Sequence, residues 1–132
     1  MNLPQSENQY VEFKSEKVAA KDLAEEIVAF ANGEGGEIWL GVEDDGQVSG
    51  LSRTYEEDVM NICRGAVRPP LTPEYAEFAM DDKTVARIVI PKGPDRPYAT
   101  SRDRYLVRVG STKRVASREE MIRLFQASGF FN

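Results

Sequence analysis

The chain has 132 residues, a formal charge of −5, one cysteine (Cys63) and no histidine. That length suits one domain with a real core. The missing histidine excludes Ser-His-Asp and Cys-His catalysis, and the single cysteine excludes an intrachain disulfide and a cysteine zinc site. No apolar run approaches the roughly 20 residues that span a bilayer. The opening MNLPQSENQY has neither the basic start nor the apolar centre of a secretory leader, so a cytoplasmic protein that avoids membranes is expected.

In chain order, residues 10–13 read as a short strand with Val11 and Phe13 on one face. Residues 17–31 carry Leu23, Ile27, Val28, Phe30 and Ala31 at helical spacing. Asn32-Gly33 is the stop signal, since both residues tolerate the left-handed conformation. Residues 37–42 form an apolar, hence central, strand. Asp45-Gly46 then predicts a hairpin into residues 47–51. Thr54 is placed to cap a second helix over 55–66, with Glu56, Glu57 and Asp58 in its first turn. Pro69-Pro70 ends it. Residues 74–80 and 84–90 read as strands joined through Asp81-Asp82. A Pro/Gly-bearing loop over 91–97 follows, then a half-buried strand over 104–109 in which charged and apolar residues alternate. Ser117 with Glu120 makes a capping box for a last helix ending near Ser128-Gly129. This order predicts one α/β (α+β) domain over residues 1–132: a single mixed sheet of about six strands packed with about three helices.

Charge is unevenly spread. Residues 1–60 hold 4 Lys/Arg against 14 Asp/Glu, whereas residues 92–132 hold 9 against 4. A phosphate backbone could use the basic third, and a divalent metal the acidic half. Arg102, Arg104, Arg108, Lys113 and Arg114 come within 13 positions, and Arg104 and Arg108 share a strand face. Such a patch holds phosphates without reading sequence. Tyr98 and Tyr105 flank Arg102 and Arg104 as candidate stacking platforms, whereas Trp39 sits in an apolar strand and reads as core. Gly33 to Gly36 invites a phosphate-loop reading, but Glu37-Ile38 follows where a Walker loop needs Gly-Lys-Ser/Thr, and the loop runs from helix to strand. A tight turn is the stronger reading. Cys63 reads as a small buried hydrophobe.

Three stretches exceed fold grammar. They are Glu7-x-x-x-x-Glu12-Phe13-Lys14, the run AFANGEGG (residues 29–36) continuing into GVEDDG (41–46) and Gly50-Leu51, and RYLVRVGS (104–111) followed by Ala116. Together they resemble the Schlafen AlbA-type domain over about residues 5–125. The resemblance implies a nucleic-acid-binding module, for DNA or RNA, of the kind found in bacterial regulators. An older view of the family as a divergent ATPase implies ATP binding, though not hydrolysis here.

Vertebrate Schlafens cleave transfer and ribosomal RNA with three acidic residues and a divalent cation. The resemblance maps that triad onto Glu7, Glu12 and Asp44, with Mg²⁺ or Mn²⁺ as the ion and Lys14 as a phosphate contact. Glu7 and Glu12 are an odd number apart, so meeting requires a bend near Asn8-Gln9. The leading expectation is therefore a nucleic-acid-binding accessory module contacting backbone through Lys14, Arg102, Arg104, Arg108, Lys113 and Arg114. The alternatives are a metal-dependent endoribonuclease and a protein-interaction or oligomerisation domain. By analogy with the two paired lobes of vertebrate Schlafens, a homodimer is implied.

Overall fold

In a computed structural model of the protein, residues 2–128 are described. Strand β1 (Val11–Lys14) leads through helix α1 (Ala20–Asn32) to β2 (Gly36–Leu40), which lies parallel to β1. Helix α2 (Glu56–Gly65) and a two-residue strand, β3 (Val67–Arg68), follow. The hairpin of β4 (Glu74–Met80) and β5 (Lys83–Ile90) then pairs β5 antiparallel to β2. The main sheet has the order β1-β2-β5-β4. The remaining strands are β6 (Ala99–Thr100), β7 (Leu106–Val109) and β8 (Thr112–Val115), before helix α3 (Arg118–Ala127).

The period-two pattern of the strands and the 3.6-residue period of α1 meet in one core. Leu23, Ile27 and Phe30 of α1 pack with Ile38, Leu40, Ala86, Ile88 and Ile90 of the sheet. Val11, Phe13, Trp39 and Val85 point to the other face, which Leu3, Val48, Phe78 and Met80 cover. Since Val11 and Phe13 face away from α1, the alternation puts Glu12 and Lys14 beneath it. That one consequence places most of the charged chemistry below.

The mixed α+β architecture with three helices stands as read, but the strands do not share one sheet. Four form the main sheet, and β3-β6 and β7-β8 form two separate ribbons. The outer edge of β1 is closed by local chain. Phe13 N–H donates to the Glu7 carboxylate (3.0 Å). Asn8 and Val11 exchange backbone bonds, and Arg108 donates to the Val11 carbonyl (2.9 Å). With that edge capped, β7 packs against α1 instead of extending the sheet.

The expected hairpin at Asp45-Gly46 is a compact loop with a single bridge, Val42 to Val48. Asp45 Oδ1 accepts from Gln47 N–H (2.9 Å), and the Gly41 carbonyl takes both Ser49 and Gly50 N–H. These local bonds replace a ladder. α1 begins at Ala20 rather than at residue 17, and Asn32 is its last residue rather than a left-handed stop. The Asn32 amide instead ties the helix to the C-terminal ribbons. It accepts from Tyr98 N–H (2.6 Å) and donates to the Tyr98 and Leu106 carbonyls (2.9 and 2.8 Å).

Gly35, at φ +80°, lies where a Cβ would sit 2.6 Å from the Ile90 carbonyl oxygen, so the glycine-rich turn is a packing requirement. Ser117 and Glu120 form the expected capping box of α3. The expected end of that helix at Gly129 falls outside the described residues. Among the described residues no helix is long and apolar enough to cross a membrane.

Candidate nucleic-acid interface

Three acids and three cations interleave between β1, α1 and the β7-β8 ribbon. Asp22 and Glu26, one turn apart on α1, face Lys14 of β1 and Lys113 of β8. Lys14 Nζ lies 2.9 Å from Asp22 and 3.2 Å from Glu26. Lys113 Nζ lies 2.8 and 3.1 Å from the same two carboxylates. Arg108 fills the centre. Its Nη1 sits 2.9 Å from Glu12 and 3.3 Å from Glu26, its guanidinium stacks over the Phe30 ring, and its other nitrogens donate to the carbonyls of Asn8, Gln9 and Val11.

Burial pulls both lysines toward neutrality. The hydrogen bonds to Asp22 and the charge of Glu26 win and hold them above the ordinary lysine range. Asp22 is held below its ordinary range, its own burial being outweighed by Lys113 and Lys14.

Glu12 behaves oppositely. Burial, a hydrogen bond to Glu7 and the negative charge of Glu26 push its carboxyl up to about 8, outweighing the Arg108 guanidinium. The chain bends at residues 8–10, where Asn8 Oδ1 accepts from Tyr10 N–H. That bend brings the Glu7 carboxyl beside Glu12. Asp44 does not join them; it stands exposed in the loop after Val42. A divalent ion needs ionised oxygens free to coordinate. Here Glu12 is buried and bonded to Arg108, and Glu7 accepts from Phe13 N–H. Among the described residues, no group of three or more Asp, Glu, Cys or His is arranged to hold a metal. The Glu7, Glu12 and Asp44 set therefore does not fit a Mg²⁺ or Mn²⁺ ion in this arrangement.

The cationic patch read from the sequence is largely neutralised within the fold. The Arg108 side chain is 1% exposed and serves as an internal strut, which removes it as a phosphate contact. Lys14 and Lys113 are committed to Asp22 and Glu26. Arg114 pairs with Glu120 (2.6 Å), which holds that carboxyl down to about 2. Arg104 keeps more freedom: Nε bonds Glu25 at 2.8 Å, but the side chain is 46% exposed. Arg102 is exposed and has no ion-pair partner among the described residues. Tyr98 is buried in the core and so is no stacking platform; Tyr105 is half-buried.

A surface cleft gathers what remains. Ala20, Lys21, Ala24 and Glu25 on the first turns of α1 form one wall; Ala66, Thr100, Ser101 and Arg102 form the other. The β3-β6 pairing holds this second wall in place, with Val67 opposite Thr100 and Ser101 N–H bonded to the Ala66 carbonyl. Lys21, like Arg102, has no ion pair among the described residues. Arg68, 62% exposed and only loosely paired with Asp103 at 4.0 Å, stands on the same ribbon. Ala19 at the N-cap offers no side-chain acceptor to the first-turn amides of α1. Two cations without ion pairs among the described residues, two hydroxyl side chains and the Glu25 carboxylate thus line one depression.

Lys21 lay outside the sequence-predicted patch because it is 81 positions from Arg102. A signal existed. Asp22 and Glu26, one turn apart on α1, attract cations from elsewhere, so the nearby basic residues could not all be free.

A family model described as Schlafen, AlbA_2 matches residues 7–117. The chain belongs to the Schlafen AlbA_2 family. No curated protein matches it. Among solved structures, the DIP2311 protein of Corynebacterium diphtheriae is similar at 24% identity with a TM-score of 0.75. That match covers 91% of this chain but 27% of the other, so the AlbA_2 domain spans about a quarter of that relative. The N-terminal domain of a RecG-related protein from Nitrosomonas europaea is similar at 24% identity with a TM-score of 0.62, covering 81% of this chain and 78% of that one. These likenesses establish a shared fold.

Proposed function

We propose that this AlbA_2 domain binds nucleic acid by its sugar-phosphate backbone, with Lys21, Arg102 and Arg104 as the principal contacts. The observation that carries the reading is the cleft between α1 and the β3-β6 ribbon. There Lys21 and Arg102, without ion pairs among the described residues, line one depression together with Thr100, Ser101 and Glu25. A phosphate oxygen in that depression would meet charge-assisted donors on both walls. The family supports the same direction, and one structural neighbour carries a name related to a DNA helicase. Contacts of this kind position a backbone without reading bases, so the reading predicts weak sequence preference. Arg68 extends the basic surface beyond the cleft.

The test is a gel-shift comparison of duplex DNA and transfer RNA at low salt, for the wild type and for Lys21→Glu with Arg102→Glu. Both side chains lie outside the core, so the variant keeps its fold. Loss of the shift with an unchanged thermal transition supports the cleft. A shift of equal strength in the variant overturns it.

A further inference from the structure

The two edges of the main sheet are treated differently. The β1 edge is closed by the Glu7 carboxylate, the turn at Asn8 and the Arg108 guanidinium. The β4 edge is not closed. In an antiparallel ladder about half of an edge strand's backbone groups turn away from its neighbour, and β4 pairs only with β5. Among the described residues, no side chain or other segment bonds to the backbone of residues 74–80. The strand is seven residues long and contains no proline or lysine. Of the usual devices that protect an edge, only charge is present, and it is all of one sign: Glu74 and Glu77 on the strand, Asp81 and Asp82 at its end.

The two faces of β4 differ in kind. Toward α2, the Glu77 carboxylate is held in place by Thr54 Oγ (2.6 Å) and Tyr75 OH (2.7 Å), both donating to the same oxygen. Glu77 is exposed. Toward the opposite face, Phe78 packs against Trp39 with ring centroids 6.0 Å apart, and Phe78 and Met80 are half-buried apolar side chains at the margin of the core. A strand laid along β4 would therefore meet the fixed charge of Glu77 on one side, and on the other the apolar surface of Phe78 and Met80 with Glu74 at the start of the strand. A second copy of β4 would bring its own Glu74 and Glu77 to the same edge, adding negative charge to negative, which disfavours self-pairing.

We infer that the β4 edge is a docking site for an extended peptide segment of another protein, one whose basic residues alternate with apolar ones. The segment adds a fifth strand to the sheet. Its Lys or Arg side chains lie over Glu77, and its apolar side chains extend the cluster at Phe78 and Met80.

The probe is a fluorescein-labelled nine-residue peptide alternating Arg with Val, compared with a peptide of the same composition in which the arginines are contiguous. Fluorescence anisotropy should show at least tenfold tighter binding of the alternating peptide, and amide exchange of β4 should slow on its addition. Glu74→Lys with Glu77→Lys should weaken it at least tenfold and favour a peptide alternating Glu with Val. Glu74→Lys alone, at an exposed position, should give a smaller loss in the same direction with no change in thermal stability. Equal binding of the two arginine peptides overturns the inference, as does binding that leaves β4 exchange unchanged. Concentration-dependent dimerisation that protects β4 would also overturn it, by assigning the edge to a second copy.

Discussion

Replacing Arg108 with alanine should cost stability rather than nucleic-acid affinity. The side chain is 1% exposed and contacts Glu12 at 2.9 Å and Glu26 at 3.3 Å. Its other nitrogens donate to the Asn8, Gln9 and Val11 carbonyls at 2.8 to 3.1 Å. Removing one partner from a buried ionic cluster costs about 3–5 kcal/mol. Part of the cluster survives. Lys14 and Lys113 still reach Glu26, and the Val11 carbonyl still accepts from Asn8 N–H. Glu12, protonated up to about 8, adds little uncompensated charge near neutrality. The Gln9 carbonyl, by contrast, keeps no other backbone donor among the described residues. The lower half of that range, about 3–4 kcal/mol, is therefore expected. With an unfolding entropy of about 2.1 cal/mol/K per residue over 132 residues, this corresponds to a Tm lower by roughly 10–15 °C. Arg108→Lys should recover little, because an ammonium cannot reproduce the planar fork that serves carbonyls and carboxylates together. The assay is thermal and guanidinium unfolding followed by circular dichroism. A change below about 1 kcal/mol, accompanied by weaker nucleic-acid binding, would refute the reasoning and return Arg108 to the surface.

Other consequences can be measured alongside. The folded-state carboxyl of Glu12 titrates near 8, against an ordinary value of 4.5. Between those values the folded protein holds a proton that the unfolded chain releases, so the Glu12 contribution is complete below about 4.5 and is lost by about 8. Chemical denaturation at stepped pH should show stability declining across that window, and Glu12→Gln should flatten the decline; an identical pH profile would contradict the assignment. Asn32→Ala strips partners from three buried backbone groups of Tyr98 and Leu106, and unfolding titrations should show a loss of about 2–4 kcal/mol. Gly35→Ala sets a methyl group 2.6 Å from the Ile90 carbonyl oxygen at a positive φ. Calorimetry should register a cost of at least about 1–3 kcal/mol, and a neutral result would mean that the turn is free to shift.

The local grammar of this chain was largely legible. The strands at residues 74–80 and 84–90, the helical period of α1 and the Ser117–Glu120 capping box follow from propensity, periodicity and short-range hydrogen bonding. What failed was long-range. On β7 the face shared by Leu106 and Arg108 is buried and Val109 is exposed. Alternation alone would have turned the charged face to solvent. The inversion occurs because α1 presents Asp22 and Glu26 to that face, and strand alternation carries no information about which neighbour it meets. Asn32 reads as a helix stop in sequence because its partners lie 66 and 74 positions away. The internal pairing of the basic residues was illegible for the same reason. Proximity in sequence counted cations, while the fold spent most of them on internal carboxylates and brought Lys21 to Arg102 instead.

The salt dependence of binding tests the central claim most directly. Three phosphate contacts, at Lys21, Arg102 and Arg104, predict a slope of log K against log salt of about −2.7 on duplex DNA, or roughly a 40-fold loss between 50 and 200 mM salt. For Lys21→Ala with Arg102→Ala the slope should shrink to about −0.9. A wild-type slope near zero, or an unchanged slope in the double variant, would show that the cleft between α1 and the β3-β6 ribbon does not hold the backbone.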